Sequence, residues 1–133
     1  MAKRWNFEKV VKKLRTAKKG LPTKIASIMK RHFQQSFRKQ GFTDATLDPW
    51  KARKHPDKGR AILVKSGALR LSLRVRSASF NAIRVGSYGI KYARRHNRGL
   101  AGMPKRQFVG PSKVMTKQVN KLINNELKKV FKY

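Results

Sequence analysis

The sequence predicts an α+β domain: N-terminal helices and a long C-terminal helix packed on a small antiparallel sheet with a β-hairpin. Three observations lead there. Apolar residues recur every three to four positions up to about residue 40, every second position from Leu69, and every three to four again after Ser112. Helices, then a hairpin, then a closing helix is the order of segregated α and β elements around one core. A chain of 133 residues fits a single domain spanning 1–133.

The helical region covers 6–40. Phe7, Val10, Val11 and Leu14 fall at i, i+3, i+4 and i+7, one face of a helix that Asn6 can cap and whose first turn holds Glu8. Lys12, Lys13, Arg15, Lys18 and Lys19 load the polar side and the C-terminal end. Gly20 and Pro22 predict a break. A second helix then carries Ile25, Ile28, Met29, Phe33 and Phe37, extended by His32 and Ser36, and stops at Gly41.

Residues 42–60 read as a long loop, because Asp44, Asp48-Pro49, His55-Pro56-Asp57 and Gly59 are turn formers, with Trp50 as an anchor. The hairpin region is 61–90. Leu69, Leu71, Leu73 and Val75 alternate with Arg70, Ser72, Arg74 and Arg76, giving a strand with an apolar and a basic face. Ser77-Ala78-Ser79 supplies a turn, Ile83 and Val85 the return strand, and Gly86-Ser87-Tyr88-Gly89 its end. Residues 91–111 are irregular. Over 112–131, Ser112 caps a helix with the stripe Met115, Val119, Leu122, Ile123, Leu127, Val130 and Phe131.

Charge and chemistry narrow the function. With 35 Lys+Arg against 5 Asp+Glu the net charge is +30, and no cysteine is present. Disulfides, thiolate metal sites and cysteine nucleophiles are therefore excluded. No apolar run approaches the ~18 residues of a membrane span. The opening Met1-Ala2-Lys3-Arg4-Trp5 leads into charge, so neither a signal peptide nor a membrane partner is expected. His32, His55 and His96 have no metal-ligand spacing, and His32 on an apolar stripe reads as a packed, hydrogen-bonded residue. Asp44 and Asp48 read as turn formers and local charge partners. There is no nucleophile elbow and no phosphate loop. No catalytic residue, metal or cofactor is expected.

Residues 86–89 match the bare GXXG pattern of an RNA-binding loop, but they follow a strand, where that loop joins helices; a strand-ending turn is the better reading. The basic side chains bind polyanions in a salt-sensitive way. Arg70, Arg74, Arg76, Lys91, Arg94, Arg95 and Arg98 are the candidate polyanion contacts, with Tyr88 and Tyr92 beside them. The charge is spread through nearly every segment, with no reading helix or aromatic nucleic-acid motif.

Three stretches carry a family likeness. The first is Gln40-Gly41-Phe42-Thr43-Asp44 followed by Pro49-Trp50; the second is Ile62-Leu63-Val64-Lys65-Ser66-Gly67-Ala68-Leu69-Arg70-Leu71-Ser72. The third is Tyr92-Ala93, His96 and Gly99, running on into Met103-Pro104-Lys105-Arg106-Gln107-Phe108-Val109-Gly110-Pro111-Ser112. In this order, over about 25–125, they resemble the phage virion morphogenesis family of tail-completion proteins of Mu-like and P2-like tailed phages. Gln107 stands where that family commonly has Pro, and Lys65 where an acidic residue is frequent.

The resemblance implies a non-enzymatic virion protein that completes the tail or joins tail to head at the neck, assembled in the bacterial host cytoplasm. It implies a ring of identical subunits, often a hexamer, with tail-tube and connector or portal-side proteins as partners and DNA as a non-specific contact. Trp50, Phe80, His96, Arg106 and Phe108 are then candidate assembly-interface residues, Phe108 serving core or neighbour equally well. The alternative is a nucleic-acid-binding protein of ribosomal or DNA-packing type.

Overall fold

The computed structural model describes residues 6–53, 62, 63 and 67–131. The 54–60 part of the expected loop, with His55 and Asp57, and Val64-Lys65-Ser66 of the second family-like stretch lie outside the described residues.

One helix, α1 (Phe7–Lys39), replaces the two expected on either side of Gly20 and Pro22. Asn6 caps it through Oδ1, which accepts the Lys9 N–H. An interior proline removes one donor and costs about 3 kcal/mol, yet Pro22 is buried inside the helix. The apolar phase explains the continuity: Val10, Leu14, Ala17, Leu21, Ile25, Ile28 and His32 follow one another at spacings of three and four without a slip. The stripe keeps one phase across Gly20, and Pro22 and Ala26 beside it are buried, so tertiary burial overrides the local break.

The helix ends one residue earlier than Gly41 suggests. Gln40 takes the left-handed conformation (φ 55°), held by its side chain: Nε2 donates to the Phe37 and Ile62 carbonyls and Oε1 accepts the Ile62 N–H. Gly41 serves a different need. A Cβ there would lie 2.5 Å from the Asp48 carbonyl oxygen and 2.9 Å from the Pro49 Cα. That close approach makes the start of the expected loop a hairpin, β1 (Gly41–Thr43) paired antiparallel with β2 (Leu47–Pro49), Phe42 opposite Asp48.

Leu69 does not open a strand. Gly67, at φ 72°, starts a single helical turn, α2 (Ala68–Leu71), which the Ser72 hydroxyl closes by donating to the Leu69 carbonyl. Leu69 is thereby buried while Leu71 is 70 % exposed. The strand β3 (Leu73–Ala78) pairs with β4 (Ile83–Ser87), Leu73 opposite Ser87 and Val75 opposite Val85. β3 buries Leu73 but leaves Val75 exposed, and a bulge between Val75 and Ser77 breaks the alternation beyond that point. The turn is Ser79–Ala82, with Ser79 and Ala82 exchanging backbone hydrogen bonds.

Residues 91–111 contain a short helix, α3 (Ala93–Arg98), closed by Gly99 in the left-handed region at φ 68°. The last helix, α4 (Lys113–Val130), is capped by Ser112, whose Oγ accepts the Met115 N–H, as its sequence predicts. Its N-terminus lies against the end of β1, where Asp44 Oδ1 accepts the Lys113 N–H at 2.8 Å. From there α4 runs back along α1, and Lys24 of α1 pairs with Glu126 of α4 at 2.8 Å.

The architecture is thus α+β, with two separate two-stranded sheets against α1. The core is gathered around the C-terminal half of α1: Phe33, Phe37, Phe42, Trp50, Leu69, Leu73, Ala93, Phe108 and Met115.

Candidate functional site

Three of the five residues expected at an interface are inside the protomer. Trp50, entering from β2, donates its Nε1–H to the Gln107 carbonyl at 2.8 Å and sets its ring edge-on to Phe37. Phe108 is 1 % exposed and lies 5.3 Å from the Phe37 ring centroid. Its N–H, with that of Val109, is accepted by Asn97 Oδ1 of α3 at 2.9 and 3.0 Å. Arg106 is 8 % exposed and donates from Nε and Nη2 to the Lys51 carbonyl, at 3.1 and 2.9 Å. These contacts stitch 103–112 to the segment after β2. Aromatic rings of this size gain most from full burial, which is why Trp50 and Phe108 became core.

His96 is half-buried beside them. Its carbonyl accepts the Arg106 N–H at 2.8 Å, and its ring meets Tyr92 edge-on. Burial, and then the Arg106 guanidinium, hold the His96 pKa below the usual histidine value. Its Nδ1 is buried with no hydrogen-bond partner among the described residues. A groove of about 520 Å³ opens between Leu69, Tyr92, His96, Met103 and Arg106. His32 is the packed histidine its stripe predicts: Nε2 hydrogen-bonds the Thr43 carbonyl at 2.9 Å, and burial holds its pKa down.

Phe80 is the member of the set left on the surface. It sits at the tip of the β3–β4 hairpin, 68 % exposed, with the Lys18 ammonium of α1 4.9 Å from its ring centroid. The seven candidate polyanion contacts, Arg70, Arg74, Arg76, Lys91, Arg94, Arg95 and Arg98, are all exposed. They fall on two neighbouring pieces of chain. The Tyr88 N–H donates to the Ser72 carbonyl, which sets the approach to α3 beside the junction of α2 and β3, and the Arg76 guanidinium lies over the Tyr88 ring.

Asp44, Asn97 and Gln40 carry structural work that local patterns do not show, because each bonds a partner distant in the chain. Two of the described carboxylates have structural partners: Asp44 caps α4, and Glu126 is ion-paired to Lys24 and Lys129, which hold its pKa below the usual carboxylate range. Among the described residues no group of His, Asp and Glu could hold a metal, and no helix is long and apolar enough to cross a membrane.

What these features define is a small basic α+β domain whose polar work is structural and whose distinctive chemistry is its surface. The chain belongs to the phage virion morphogenesis family, whose model matches residues 3–128, nearly its whole length. Its role is accordingly a structural or assembly one in the phage virion. No curated protein and no solved structure matches it.

Proposed function

We propose that this protein completes the tail or joins tail to head at the neck, as a ring of identical subunits, without catalytic turnover. The single observation that carries the reading is the match to a virion morphogenesis family over residues 3–128. The surface supports it: the hairpin lies against α1 and leaves Phe80 exposed at its tip and Arg74 and Arg76 exposed along β3, an apolar and basic patch suited to a neighbour's surface. A head-to-tail ring gives each subunit two unlike faces, and the hairpin and the α1–α4 side supply two. The partners are tail-tube and connector or portal-side proteins met through complementary charge, with DNA as a non-specific, salt-sensitive contact through the seven exposed cations. Assembly takes place in the host cytoplasm.

Deleting the gene and imaging the products by electron microscopy tests this. DNA-filled heads and unjoined or abnormally terminated tails are expected, restored by the wild-type chain supplied in trans. Normal joined particles without the gene would overturn the reading. Tight RNA or DNA binding that survives physiological salt, with no virion phenotype, would establish the nucleic-acid-binding alternative instead.

A further inference from the structure

Between the N-terminal half of α1 and the C-terminal end of α4 lies a groove of about 610 Å³. Its floor is apolar: Ala17, Gly20 and Leu21 from α1, and Val130 from α4. A Cβ placed on Gly20 would meet nothing within 4 Å, so α4 leaves this stretch of α1 uncovered. The rim is cationic, with Lys9, Lys12 and Lys24 on one wall and Lys129 on the other. Glu126 is the acidic member, and it is engaged by Lys24 at 2.8 Å and Lys129 at 3.7 Å.

We propose that this groove docks an acidic, apolar-anchored segment of another virion protein, an aliphatic side chain entering over Gly20 and carboxylates meeting the lysine rim. The inference rests on the assembly reading for the source of that segment. Charge decides the occupant. A second copy of this chain brings only Glu8, Asp44, Asp48, Asp57 and Glu126, scattered singly along 133 residues, against 35 Lys+Arg. Such a partner would meet the rim with like charge. A nucleic-acid backbone satisfies the lysines but leaves the apolar floor unused, whereas an amphipathic acidic segment uses both, as apolar faces laid into helical grooves do. The volume lies within the range of built binding clefts.

The test uses the full chain and a fluorescent synthetic amphipathic peptide of Glu and Leu. A Gln-for-Glu analogue and a thymidine oligonucleotide serve as comparison probes. The Glu peptide is expected to bind, the Gln analogue about tenfold more weakly or worse, with an affinity that falls as salt rises. Gly20→Leu fills the floor with a side chain that has room and favours the helix. It is expected to keep or raise the melting temperature while weakening the Glu peptide about tenfold, with oligonucleotide binding unchanged. Lys9→Glu with Lys12→Glu gives a second, charge-based loss. Peptide binding insensitive to Gly20→Leu overturns the proposal, as does a loss that the oligonucleotide shares equally. If the peptide fails this test while the wild-type chain still restores joined particles, the groove is refuted and the assembly reading stands. If Gly20→Leu abolishes peptide binding but the chain restores nothing, the groove stands and its virion source is refuted.

Discussion

The two halves of α1 live in different surroundings. From Phe33 to Phe37 the helix is wrapped by Phe42, Trp50, Leu69, Leu73 and Phe108, all buried. From Phe7 to Leu21 it is met by the end of α4 and by the hairpin tip, and Val10 is its one fully buried residue there. Leu14 is 38 % exposed, and lysines crowd its sides. The C-terminal half holds the fold. The N-terminal half, with the lysine-rimmed groove and the Phe80 tip beside it, is a surface that the described residues do not fully cover.

The largest expected effect breaks the packed half. Phe37→Ala removes a ring that touches Trp50 and Phe108 and should lower unfolding free energy by about 3–5 kcal/mol in urea melts. Leu14→Ala, on the same helix, should cost less than ~1 kcal/mol. Equal losses at the two sites would erase the distinction. Next comes Arg106→Ala, which leaves the Lys51 and Ala52 carbonyls without their charged donor and should cost about 2 kcal/mol.

Acid should act on the packed half too. A histidine whose pKa is lowered by folding takes up its proton later in the folded chain than in the unfolded one. His32 and His96 therefore contribute stability above the ordinary value of about 6.5, and that contribution is lost as pH falls below it. The melting temperature should drop between about pH 7.5 and about pH 5, and His32→Gln should reduce the drop; an unchanged drop in that variant would remove His32 from the account. The smallest effect runs the other way. Gly20→Ala should stabilise by about 0.5–1 kcal/mol, since the Cβ has open space and the helix gains propensity.

Much of this contrast was legible in the sequence, and the illegible part has a common cause. Asn6, Ser112 and the return strand at Ile83 and Val85 are local signals, and each formed as its pattern predicts; α4 formed too, but of its stripe Met115 and Val130 are buried while Leu127 and Phe131 stay exposed. The break at Gly20-Pro22 is also a local signal, but the stripe keeps its phase through Ala17, Leu21 and Ile25, and the burial of Pro22 and Ala26 outweighs it. Leu69 through Val75 alternate as a strand should, yet Gly67 and Ser72 turn the first part into a helical turn, and the strand that follows meets a bulge just after Val75. Trp50, Arg106 and Phe108 carry the residue types of an interface. Only their partners, Phe37, Gln107 and Lys51, distant in the chain, make them core. The groove had no signature at all, because its walls come from opposite ends of the sequence.

The most direct measurement of the central claim is the quantity and position of this chain in purified virions, by mass spectrometry and cryo-electron microscopy. Wild-type and Gly20→Leu proteins should each serve as the sole source of the chain. The account predicts a fixed, small copy number at one end of the tail for the wild type, and a folded Gly20→Leu protein that is left out of the particles. No wild-type chain in the virion, or copies that scale with packaged DNA in both proteins alike, would contradict it.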